Sequence, residues 1–116
     1  MTWTGGGGVA GGVSAVLVVH RDHTARATRN GDAAAARRFE LARAEWRRLR
    51  DRLDAARFRT LPAEFKPPAP VPDGTYETVR YRGHSVTVYT GAVPPGRLER
   101  LLTTLYRIYK RHAASR

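Results

Sequence analysis

Two histidines three residues apart, His20 and His23, are the first side chains in this chain whose spacing suggests chemistry, and His84 follows far downstream. Such a pair can share one metal ion, but zinc takes more ligands than two imidazoles supply. With no cysteine and no clear third ligand, the histidines read as half-exposed residues at strand ends. Nucleophilic catalysis finds no better footing. The serines are Ser14, Ser85 and Ser115, and none sits in a G-x-S-x-G elbow. No carboxylate pair stands in an apolar setting that would split two pKa values into an acid and a base. The expectation is a protein that is not an enzyme, with no cofactor and no metal.

The second suggestive stretch is Gly5 to Gly12, "GGGGVAGG", in which six of eight residues are glycine. Gly6, Gly8 and Gly11 satisfy G-x-G-x-x-G, and Val13 completes the kinase-type form. A dinucleotide fingerprint opens a helix, because the helix N-terminus supplies amide donors to the pyrophosphate. Here "VSAVLVVH" follows, which is a strand pattern. A phosphate-binding loop of the Walker type needs Lys where Val13 stands. His20-Arg21-Asp22 mimics a kinase catalytic loop, but no Asn follows at the required spacing and no D-F-G is present. Nucleotide binding is therefore not expected. The glycine stretch reads instead as a strand-to-strand loop whose bare backbone can approach a partner closely.

Net charge bears on partners. The formal charge is +11, carried by 19 Arg against two Lys. A charge of this sign suits a nucleic acid, an anionic surface or an acidic protein. Arg37, Arg38, Arg43, Arg47, Arg48, Arg50, Arg52, Arg57 and Arg59 crowd one segment, where Arg47 and Arg50 share a flank. Glu40, Glu45, Asp51 and Asp54 interrupt them, and Arg47 with Asp51 or Arg50 with Asp54 has helical ion-pair spacing. A solvated, salt-bridged face accounts for these arginines better than a phosphate-tracking stripe, and nucleic acid remains the alternative partner. "VSAVLVV" is too short for a membrane span and lacks the basic flank of a signal peptide. Together with the absence of cysteine, this fits a cytoplasmic protein that does not engage a membrane.

The elements that would position such residues are legible from periodicity. The length of 116 residues suits one domain. Trp3 between two threonines begins a first strand, "VSAVLVVH" is a buried strand, and "HTARATR" returns to the "NGD" turn. Phe39, Ala42, Trp46, Leu49, Leu53 and Ala56 then fall on one helical stripe. The helix begins either at Asp32 or, as preferred here, near Leu41 after a loop and short strand. "LPAEFKPPAPVPDG" holds five prolines and reads as a stiff arm anchored by Phe65. "TYETVRYR", Gly83 and "HSVTVYT" form a β-hairpin. Leu98, Leu101, Leu102, Leu105, Ile108 and Tyr109 make a closing amphipathic helix. The expected architecture is α+β: an antiparallel sheet of four to five strands with two helices on one face.

Taken in order, "GGGVAGGVSAVLVV", "EWRRLRDRLDAARFRTLP", the proline arm, "TYETVRYRGHSVTV", "GAVPP" and the leucine-rich closing helix resemble the emfourin family. These are protein inhibitors of protealysin and other thermolysin-like metalloproteases. The resemblance runs from about Gly6 to Ile108. The family's glycine turn usually carries Phe where this chain has Val9, and the doubled Gly11-Gly12 and the high positive charge also depart from its pattern. The resemblance implies a small intracellular inhibitor, monomeric when free, that binds a metallopeptidase without chemistry of its own. In that setting Gly7, Gly8, Val9, Ala10 and Gly11 would enter the enzyme's cleft, with Val9 as the one apolar anchor. Pro72 and Asp73, in the stiff arm, would add a second contact at low entropic cost.

Overall fold

In the computed structural model the described residues are 1–8, 15–29, 36–69, 71 and 74–113. Strands β1 (Thr2–Gly8), β2 (Ala15–Val19), β3 (Thr24–Arg29) and β4 (Arg37–Glu40) precede helix α1 (Arg43–Ala56). A short 3-10 turn (Phe58–Thr60) leads to β5 (Glu64–Phe65), the hairpin β6 (Thr75–Tyr81) and β7 (His84–Tyr89), and helix α2 (Gly96–Ala113). The class is α+β, but the sheet differs from the expected four to five antiparallel strands. It has seven, in the order β4-β3-β2-β1-β6-β7-β5, and it is mixed because β5 pairs with β7 in parallel.

The two extra strands have simple physical origins. β4 holds only four residues, Arg37 to Glu40, and pairs Phe39 with Ala25 and Arg38 with Arg26. β5 holds two, and Phe65 stands opposite Val88. Both lie at sheet edges, where a single neighbour satisfies the backbone and little side-chain alternation is needed. Phe65 packs against the core and anchors the proline arm as expected.

One face of the sheet is the core. Across the strands, Trp3 stands opposite Leu17 and Val79, Leu17 opposite Ala27, and Val79 opposite Val86. All are buried, together with Val19 and Ala25. α2 lies over β2, β3 and β4, and α1 packs against α2. Leu98, Leu101, Leu102, Leu105 and Ile108 are buried as the heptad-like spacing requires, as are Leu49, Leu53 and Ala56 of α1. The first helix starts late, at Arg43, so Phe39 belongs to a strand and the exposed Ala42 to the helix cap. Their helical spacing from Trp46 is a coincidence of the sequence.

Local chemistry explains the ends. Arg57 closes α1 in the left-handed region at φ 49°, and Arg97 Nε donates to the Ala56 carbonyl at 2.9 Å. That side chain serves a carbonyl the helix leaves without a partner. Arg82 and Gly83 both have positive φ, 50° and 79°, the geometry of the tight turn that matches strand twist.

Candidate functional site

The first four glycines of the stretch are not loop residues. Gly5 to Gly8 are strand residues of β1, the central strand, and the expectation that the loop begins at Gly5 is corrected. The ladder between β1 and β6 shifts register between Thr4 and Gly7, then resumes with Gly7 opposite Tyr76 and Gly8 opposite Thr75. Such a bulge bends and twists the strand locally. Gly5 has a structural reason of its own, because a Cβ there would stand 2.7 Å from Cζ2 of the Trp3 indole. Val9, Ala10 and Gly11, the expected tip, lie outside the described residues, as do Pro72 and Asp73.

The residues bordering those two segments meet at one end of the sheet. Gly8 faces Thr75, which follows directly on Gly74. The Gly74 amide donates to the Val71 carbonyl at 3.1 Å, tying together the residues on either side of Pro72 and Asp73. Thr75 and Thr90 are clasped by four bonds: Thr75 N to Thr90 Oγ1 at 2.8 Å, the two hydroxyls at 3.1 Å, Thr90 Oγ1 to Thr75 O at 2.8 Å, and the Thr90 amide to the same carbonyl at 2.9 Å. Gly91, at φ 86°, leaves only 3.2 Å between an added Cβ and either Pro67 or Val71. Pro67 and Val71 of the proline arm are therefore packed onto the hairpin end. Val71 and Tyr76 remain exposed there, at 43% and 41%.

The histidines have structural partners. His84 Nε2 donates to the Leu61 carbonyl at 2.9 Å, and Phe58 meets its ring edge-on at 5.5 Å. His23, at φ 72°, stacks on Trp46 at 4.5 Å. His20 lies in the turn whose Asp22 carboxylate accepts from the Thr24 hydroxyl at 2.6 Å and the Thr24 amide at 3.1 Å. The hydroxyl first and then the amide hold the Asp22 carboxyl below its ordinary pKa. Among the described residues no group of three His, Asp or Glu side chains comes together as a metal site.

A cluster missed in the sequence joins the two helices. Glu45 Oε2 accepts from His112 Nε2 at 3.2 Å and Arg111 Nη1 at 3.3 Å, and Oε1 accepts from the Ala42 amide at 3.2 Å. His112 stacks flat on Phe39 at 3.9 Å. Burial favours the neutral acid, but the Ala42 amide, His112 and Arg111 together outweigh it and lower the Glu45 pKa. The pairs expected along α1, Arg47 with Asp51 and Arg50 with Asp54, do not form within 4 Å. The groove beside this cluster, about 420 Å³ and lined by Ala44, Arg48, Thr104 and Arg107, is open and basic.

No described helix is long and apolar enough to cross a membrane. Compared with known proteins, the chain matches no family model, no curated protein and no solved structure.

Proposed function

We propose that this protein is a non-enzymatic inhibitor of a thermolysin-like metallopeptidase, acting in the cytoplasm as a monomer that occludes the active-site cleft without covalent chemistry. The observation that carries the reading is the meeting, at one sheet end, of the residues that border the two segments. The glycine-rich end of β1 lies opposite Thr75, and Gly74 leads from there into the arm that holds Pro72 and Asp73. Attachment points held by the hydrogen-bonded ladder at Gly8 and Thr75 reduce the entropy lost on binding, which favours the tight association an inhibitor needs. The resemblance of the ordered motifs to the emfourin family points the same way.

Each residue has a stated role in this reading. Gly7, Gly8 and Gly11 allow backbone close to the enzyme, since a residue without Cβ leaves room for it. Val9 fills an apolar specificity pocket, Ala10 follows it into the cleft, and Pro72 and Asp73 touch the rim. The test is a comparison of the parent with Val9→Asp in titrations of a thermolysin-like protease. Loss of inhibition with an unchanged melting temperature supports the tip, and undiminished inhibition by the variant removes it.

A further inference from the structure

On the face of the sheet opposite the helices no element among the described residues forms a covering layer, and its side chains are arranged in rows. One row runs Arg38, Arg26, Val18, Thr2, Arg80 and Ser85, each directly opposite the next on the neighbouring strand. All three arginines are exposed, and none has a carboxylate within 4 Å among the described residues. Arg26 and Arg38 form a cross-strand pair of like charge, which works against strand pairing unless an anion lies between them. Two rows away on the hairpin, Tyr76 and Tyr89 face each other with ring centroids 5.9 Å apart. Between them lies a row of Thr28, Val16, Thr4, Thr78 and Thr87. The open-face carboxylates sit at the margins: Glu40 ends β4, and Glu64 is held by Lys66 at 3.1 Å.

The geometry points to a binding surface for single-stranded nucleic acid on this open face, with Tyr76 and Tyr89 stacking bases and Arg80, Arg26 and Arg38 tracking phosphates. An open sheet face suits unstacked bases better than a duplex, whose bases are already buried against each other. The dimensions allow it. Arg26 lies three strands from Arg80, about 14 Å at the usual strand spacing, and Tyr76 lies about 13 Å along its strand from Arg80. The hydroxyls and methyls of the threonine row separate the aromatic row from the cationic one and leave both open. Charge on α1 differs in kind, because Asp51 and Asp54 interleave its arginines. The sheet surface uses side chains of the open face rather than the glycine tip, and the two readings adjoin where Tyr76 stands opposite Gly7.

The experiment is fluorescence anisotropy of labelled oligouridylate and oligothymidylate of about 16 nucleotides, with a duplex of the same length as competitor, at about 50 to 200 mM salt. The parent is expected to bind the single strands, and the duplex to compete poorly. Tyr76→Ala with Tyr89→Ala should raise Kd by about 10-fold or more, and Arg26→Gln with Arg38→Gln should reduce the salt slope by about 1.4. Circular dichroism establishes that each variant is folded. Arg47→Gln with Arg50→Gln on α1 should bind like the parent. The proposal is overturned if the parent fails to bind at the lowest salt, or if folded sheet variants bind as it does. Loss through the α1 variant alone, or duplex binding equal to single-strand binding, overturns it as well.

Discussion

The indole of Trp3 lies across Gly5, close enough that a single added methyl would meet Cζ2 at 2.7 Å and Cη2 at 3.0 Å. Trp3 is itself fixed: it is 2% exposed, its Nε1 donates to Glu77 Oε2 at 3.1 Å, and Tyr109 packs on its ring at 5.5 Å. The first glycine of the run is thus a packing residue of the central strand. Gly5→Ala should destabilise the fold by about 1–3 kcal/mol through overpacking. Urea unfolding followed by tryptophan fluorescence measures it, and an unchanged midpoint would contradict the packing account.

His84 joins the connection after α1 to the hairpin through its bond to the Leu61 carbonyl. His84→Ala removes the donor from a buried residue's carbonyl and the edge contact with Phe58, for a loss of about 1–2 kcal/mol. Added divalent metal should leave the melting temperature of the parent unchanged, because the imidazole acts here as a structural donor.

Glu45 gives the helices an acid-sensitive latch. Its folded pKa is lowered, so its contribution is complete above the ordinary carboxylate range and is lost as pH falls through the folded value. Glu45→Gln should cost about 1 kcal/mol near neutral pH, with the gap to the parent closing as pH falls below the ordinary carboxylate range. Equal gaps at neutral and acid pH would show that the carboxylate's charge contributes nothing.

Arg38→Glu places an opposite charge across from Arg26 and should raise stability by about 0.5 kcal/mol. The same substitution should weaken binding to single-stranded oligomers. A gain in stability with binding retained would separate the cross-strand repulsion from the ligand surface.

What could be read in the sequence follows the strength of local patterning. The β6–β7 hairpin was plain because Val79 and Val86 alternate with exposed polar residues and Gly83 takes the positive φ its turn demands. α2 was plain because its five buried apolar residues recur at helical spacing. β4 lies where the short strand ahead of a helix starting near Leu41 was expected, whereas β5 was hidden beside prolines, since two residues of edge strand leave no period to detect. Phe39 misled because its spacing suits a helix, whereas its partner is His112, far away in sequence. The Glu45 cluster was invisible for the same reason: its bonds to Arg111 and His112 span 66 and 67 residues. The rows of the open face depend on strand order, which placed β1 between β2 and β6 and so aligned Arg26 with Arg80.

The most direct measurement is titration of several thermolysin-like metallopeptidases with the purified protein, reading residual hydrolysis of a peptide substrate. The inhibitor reading predicts a stoichiometric loss of activity for at least one enzyme, abolished by Val9→Asp and little affected by Arg47→Gln with Arg50→Gln. Full residual activity at a molar excess of the protein across all the enzymes would contradict it.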